Sequence, residues 1–290
     1  MKLVFKVMLV LILAVALVRP VTATEKPKVV LGQIGLSFYA VVGGVVQEVL
    51  GKLGHPVEIV QGSHAEIFPK LGNGEVDILA AAWLPGAHGP LHAPVADRTV
   101  EVATIYTDAK LYWAVPDYVP ANVVSAIDDL KKPDVLAKMD KRIVGIGPDS
   151  GLMRGAVKIN QDYGLDALGY TIVTGPAPDW IANFRKAVDE KRWVVMPLWQ
   201  PHFLNRAYRV RILAEPKGIY GTDRAVLLAR KDAWEKFPAN TRAVLSRISL
   251  GLDAVTEMDY AVNVDKKSPR DAAREWLQKN PQRVNAWFGS

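Results

Sequence analysis

Gly74-Glu75-Val76-Asp77-Ile78-Leu79-Ala80-Ala81-Ala82-Trp83-Leu84-Pro85 sets an unbroken apolar run of strand length against a tryptophan and a proline. Asp77 to Ala82 reads as a strand buried on both faces, because it shows no polar alternation. Further along, Trp193-Val194-Val195-Met196-Pro197-Leu198-Trp199-Gln200-Pro201-His202 repeats the arrangement. Each run closes on Trp-x-Pro and is followed by a histidine, His88 in Trp83-Leu84-Pro85-Gly86-Ala87-His88 and His202 in the second.

The residues ahead of each run extend the parallel. Before the first stand a strand at Val29-Val30-Leu31 and a glycine turn, Gly32-Gln33-Ile34-Gly35. A helix from Phe38 to Leu53 follows, with Ser37 as N-cap and Val41, Val42, Val45, Val46, Val49, Leu50 and Leu53 at helical spacing. A strand at Val57 to Val60 and a short helix at Glu66 to Leu71 complete the unit. Before the second run stand a strand at Ile143 to Ile146, the turn Gly147-Pro148-Asp149-Ser150-Gly151 and a helix from Leu152 to Tyr163. A strand at Tyr170 to Val173 and a helix from Trp180 to Val188, begun by Asp179, complete it. Gly35 to Trp83 spans 48 positions and Gly147 to Trp199 spans 52. Strands alternating with helices, in two units of one plan, predict an α/β molecule of two similar lobes with parallel sheets.

Pro116-Asp117-Tyr118-Val119-Pro120 reads as the outgoing connection, stiffened by two prolines. Asp265-Lys266-Lys267-Ser268-Pro269 reads as the return, with Gly218 as an earlier alternative, and a helix from Arg270 to Asn280 follows. The expected division is residues 24–117 plus 263–290 in lobe 1 and 118–262 in lobe 2, each of ordinary domain size.

The chain has 290 residues, of which 50% are hydrophobic and 23% charged, and it has no cysteine. This excludes a disulfide scaffold, a cysteine-ligated metal and a cysteine nucleophile. Residues 1–23 read as a cleaved signal peptide: Lys2 and Lys6, the apolar stretch Val7 to Val18, then Val21-Thr22-Ala23. Its removal lowers the formal charge from +6 to +3. The remaining charges are interspersed, so no nucleic-acid partner is expected. Export to the periplasm follows, and without a cysteine after the signal a lipid-anchored form is not expected.

In open α/β sheets ligands bind beyond the carboxyl ends of the strands. Trp83, Trp199 and the two glycine turns fall there, and each turn precedes a helix whose first amides are available to an anion. Indole faces with anion-binding amides suit a zwitterion carrying a methylated cation and a carboxylate. His88 or His202 would donate to the carboxylate. Trp180 and Trp193 read as core, as do Trp234, Trp276 and Trp287, and His64 and His92 belong to no pattern. The histidines have no metal-ligand spacing, so neither metal nor cofactor is expected. Ser150 lacks the nucleophile-elbow context, and there is no P-loop or dinucleotide fingerprint, so a binding protein is expected rather than an enzyme.

At these residues the sequence resembles the OpuAC-like family, the substrate-binding proteins of glycine betaine and proline betaine ABC importers. The carriers are Gly32 to Phe38, Gly74 to Asp77 with Trp83-Leu84-Pro85, Val115 to Val119, Trp199-Gln200-Pro201-His202 and Ala272-Ala273-Arg274-Glu275-Trp276-Leu277. The resemblance implies a periplasmic-binding-protein fold of type II-like build, with the ligand cleft between the lobes. It implies a tryptophan cage for the ammonium group, with Trp83 and Trp199 as walls. It also implies carboxylate donors from His88 or His202 and from the turns Gly35-Leu36-Ser37 and Ser150-Gly151. The family's third tryptophan has no counterpart here, and Tyr39, Tyr112 or Trp113 is the expected substitute. That departure leaves choline, carnitine, proline and histidine open as ligands beside the betaines. The implied partner is a membrane permease, and the protein is expected to be a monomer.

Overall fold

The computed structural model describes residues 26–289; the expected signal peptide lies outside them. The described residues form nine strands: β1 (Val29–Ile34), β2 (Val57–Gly62), β3 (Ile78–Leu84), β4 (Thr99–Pro116), β5 (Arg142–Val144), β6 (Thr171–Val173), β7 (Met196–Gln200), β8 (Val210–Ile212) and β9 (Thr222–Arg230). The larger sheet runs β2-β1-β3-β9-β4-β7, with β8 also on β4, and β5 pairs with β6 in a smaller one. The β1–β2, β1–β3 and β5–β6 pairs are parallel, as two βαβ-like units require. The centre of the larger sheet differs from the expected parallel plan, because β9 lies antiparallel between β3 and β4.

Strand β4 joins the two halves. Its first part, to Lys110, pairs with β9, and from Lys110 onward it pairs with β7 and then β8. Register shifts between Glu101 and Ala109 bend it, with Asp108 at a positive φ of 60°; bulges of this kind turn a strand. The outgoing crossing therefore runs through a hydrogen-bonded strand, upstream of the expected Pro116–Pro120 connection.

The same pairing bears on the return, expected after residue 262. Residues 222–230, assigned by the sequence reading to lobe 2, are hydrogen-bonded into the sheet beside β3. The chain thus rejoins the first half before Thr222. An antiparallel strand wedged between β3 and β4 satisfies backbone groups that would otherwise form two buried edges.

Helix α1 (Ser37–Lys52) is apolar on nearly all sides because it is covered on both. The sheet lies beneath it, and the helix Pro269–Lys279 crosses above. Gly44 permits that crossing, since a Cβ there would lie 2.9 Å from the Pro269 carbonyl oxygen. Glu48 on α1 fixes the crossing by accepting from Arg270 at 2.6 Å and Arg274 at 3.2 Å. Helix α2 (His64–Asn73) starts with a capping box between Ser63 and Glu66. Helix α3 (Gly151–Asp162) is capped by the Ser150 hydroxyl, which accepts from the Met153 amide at 3.2 Å. Helix α4 (Ala177–Asp189) begins after Pro176, ahead of the expected Asp179. Among the described residues no helix is long and apolar enough to cross a membrane.

Candidate ligand-binding site

The carboxyl ends of β1, β3 and β7 and the turn after β5 converge on one narrow, partly open chamber with about 20 Å³ of free space. Its lining includes Phe38, Trp83, Trp199 and His88, together with the start of α3. That space holds about one water and lies far below the volume of ordinary ligand pockets, so a small molecule enters only as the walls move apart. A larger open groove adjoins it, sharing Leu36, His64 and Ile146 with the chamber and running on past Gly62, Pro148 and Gly175.

Three aromatic rings form the core of the chamber wall. Phe38 lies between the two expected tryptophans, its ring centroid 5.7 Å from Trp83 and 5.4 Å from Trp199. Tyr39 stands beside it, 6.3 Å from Trp83. The Trp83 indole N–H donates to the Tyr106 hydroxyl at 2.8 Å. Trp199 stacks on Trp180 at 4.9 Å and 15°. Trp180 is thus core, as expected, and it fixes the plane of a wall residue from behind.

The polar side of the chamber is set by His88. Its Nδ1 accepts the Trp83 backbone N–H at 2.9 Å, which places the proton of the neutral ring on Nε2. Nε2 lies 3.4 Å from the Tyr39 hydroxyl. Burial pushes the His88 pKa well below the ordinary histidine value, and neighbouring His64 and Arg154 push the same way. The ring is therefore a neutral donor at physiological pH. Burial likewise raises the pKa of Tyr39 and Tyr106, so both keep their hydroxyl protons. Gly151 and Leu152, the first residues of α3, also line the chamber. Amides in a helix's first turn have no intrahelical acceptor and carry the positive end of the dipole.

Seven of the expected site residues meet here: Trp83, Trp199, His88, Leu36, Tyr39, Ser150 and Gly151. Four do not line the chamber. His202 lies against Trp199, its ring 4.4 Å away edge-on, and its Nδ1 accepts the Leu204 amide; burial lowers its pKa to about 3. Trp113 is buried where β4 meets β7, opposite Pro197. Gly35 lines the outer groove. Ser37 is the first residue of α1 instead of its N-cap, and its hydroxyl oxygen accepts from Asn263 at 2.9 Å. Tyr112, a third candidate wall, bonds Asn205 and the Trp199 carbonyl instead.

Of the six lining residues outside the expected set, Phe38 and His64 carry the most chemistry. Phe38 sits in the Gly32–Phe38 motif and was read only as a helix start. His64 is buried where chamber and groove meet, its ring 5.4 Å from His88, with burial lowering its pKa to about 4 against the pull of Asp149. Its position at the start of α2, beyond the carboxyl end of β2, was the available signal.

An α/β molecule that closes a small aromatic chamber between strand ends is built to hold a small molecule. The family model described as the substrate binding domain of ABC-type glycine betaine transport systems, OpuAC, matches residues 27–279, and the chain belongs to that family. A curated relative, the glycine betaine/carnitine transport binding protein GbuC of Listeria monocytogenes, is 27% identical over 157 residues, covering 54% of this chain. The match spans only about half of that relative, 52% of its length. Among solved structures, lactococcal OpuAC in its closed, glycine betaine-bound form aligns with a TM-score of 0.80 at 23% identity, over 91% of this chain and 100% of its own. An ABC-transporter choline-binding protein in complex with choline aligns with a TM-score of 0.80 at 20% identity, over 90% and 91%. These likenesses show the fold: two lobes with a cleft between them.

Proposed function

We propose that the protein is the exported substrate-binding component of an ABC importer and that it carries a methylated ammonium compound with a carboxylate, glycine betaine or a close relative. One observation supports this above all: the Trp83, Phe38 and Trp199 rings share one chamber with His88 and the α3 amino terminus. The aromatic faces attract a quaternary ammonium by about 2 kcal/mol per desolvated contact. The His88 Nε2–H and the Gly151 and Leu152 amides would hold the carboxylate, with the Trp83 and Trp199 walls facing the cation. Phe38, with Tyr39 beside it, takes the place of the absent third tryptophan. Among the described residues that line the chamber there is no Asp or Glu. A bare cation such as choline would find aromatic faces there but no counter-charge, which favours the zwitterion.

The lobes would divide at the β4 bend and again before Thr222, so that hinge rotation opens the cleft. Closure would present a joint surface to a membrane permease, with the protein itself monomeric in the periplasm and doing no chemistry on its cargo. Calorimetry of the ligand-stripped mature protein against glycine betaine, proline betaine, carnitine, choline, proline and histidine tests the reading. Micromolar binding, near −8 kcal/mol, is expected for the betaines, with choline at least tenfold weaker. Binding of an amino acid alone, or release of a chemically altered ligand, would overturn it.

A further inference from the structure

Three contacts tie the two sides of the chamber together. The Asp149 carboxylate, in the turn before α3, accepts the Ala65 backbone N–H at 2.8 Å in the first turn of α2. The Arg154 guanidinium on α3 donates to the Ala87 carbonyl at 2.7 Å and to the Asp149 carbonyl at 2.5 Å. Between them Gly151 approaches Ala87 so closely that a Cβ added to it would lie 2.7 Å from the Ala87 Cα. The far side of the same loop is held by Asp223 at the start of β9, whose carboxylate accepts the Gly86 and Ala87 amides at 2.5 and 2.9 Å.

We propose that Asp149 and Arg154 form a clasp that holds the lobes shut over the chamber and sets how long a ligand stays, without touching it. Both residues belong to the half that carries β5 and β6, and Ala65 and Ala87 belong to the half that carries β1 and β3. Neither Asp149 nor Arg154 lines the chamber. Asp149 places a negative charge at the amino end of α2, where unpaired amides and the helix dipole favour it. Arg154 grips the carbonyl of the peptide immediately before His88, and Asp223 holds the two amides ahead of it, so closing the clasp also fixes the His88 ring. A charged side chain bonded to a neutral backbone group is well suited to a reversible contact: opening returns both partners to water without leaving a buried charge unpaired.

The proposal rests on the binding reading for its ligand and on geometry alone for closure. The test is stopped-flow binding of glycine betaine to the mature protein and to Asp149→Asn, Arg154→Ala and the double variant, each verified as folded by circular dichroism. Dissociation should quicken about fivefold or more in each single variant and further in the double, with association changed less than about twofold. Arg154→Lys should recover part of the loss. Lys158→Ala, whose ammonium pairs with Asp162 on the same helix at 2.7 Å, should behave as the parent. Unchanged dissociation in both single variants, or a loss carried wholly by association, would overturn the clasp. If the parent binds no quaternary amine, the ligand reading fails separately. Spin-label distances between the lobes of the unliganded protein then decide: a shift toward the open form in the variants supports the clasp, and an unshifted distribution overturns it.

Discussion

The two Trp-x-Pro corners begin from one sequence pattern and end in different chemistry. At the first, Trp83 is held by hydrogen bonds: its indole N–H on Tyr106, and its backbone N–H on His88. At the second, Trp199 is held by contact, stacked on Trp180 with His202 at its edge, and its indole nitrogen is buried without a partner among the described residues. His88 turns into the chamber, while His202 turns back onto its own corner. The difference lies in the neighbours. The first corner meets the crossing strand β4 at Tyr106 and the second meets α4 at Trp180, so one supplies a hydroxyl and the other an aromatic face.

The comparison can be broken or sharpened by substitution. The largest effect is expected for Trp83→Leu and Trp199→Leu, which remove the π face and keep most of the apolar volume. Each should weaken glycine betaine by more than about tenfold, 1.4 kcal/mol or more, in calorimetry. An effect at only one corner would show that the cage is not shared. Next, His88→Phe removes the carboxylate's donor and strands the Trp83 backbone N–H, so it should weaken both ligands, a betaine by about tenfold more than choline. His202→Phe should treat the two ligands alike. Tyr106→Phe strands the Trp83 indole N–H and should cost about 1–3 kcal/mol in a urea titration. Trp180→Phe keeps an aromatic face behind Trp199 and should cost less in affinity than either wall substitution.

A separate effect concerns pH and stability. His64 and His202 titrate near 4 and 3 in the folded protein, against about 6.5 when unfolded. Their folded pKa values are depressed, so the unfolded chain takes up protons first as pH falls. Stability tied to them is present above about pH 6.5 and is lost toward pH 4, by at most about 1.4 kcal/mol per unit for each histidine. Asp259 runs the other way: burial raises its pKa to about 6, so its contribution declines as pH rises from about 4 to 6. Urea midpoints across pH 4.5 to 7 should therefore flatten in His202→Phe and steepen in Asp259→Asn. A His202→Phe slope equal to the parent's would place that ring nearer water than its burial indicates.

The sequence by itself determined the elements with a strong local period. The valine stripe of α1, the buried run of β3 and the glycine turn before α3 were all legible, because each residue's partners are set within a turn or a strand's length. It also pointed to the two tryptophans, the glycine loop and one of two histidines, His88 or His202, as candidate site residues, since strand ends and helix starts have a known direction. What only the tertiary structure decided depends on partners distant in the chain. Strand β9 was unread because its place between β3 and β4 is set by pairing across more than a hundred residues. Phe38 was unread as a wall because an aromatic at a helix start looks the same whether it faces a core or a cavity. His88 and His202 could not be separated because both follow Trp-x-Pro. Only the fold shows which ring has the Trp83 amide to accept from and a chamber to face.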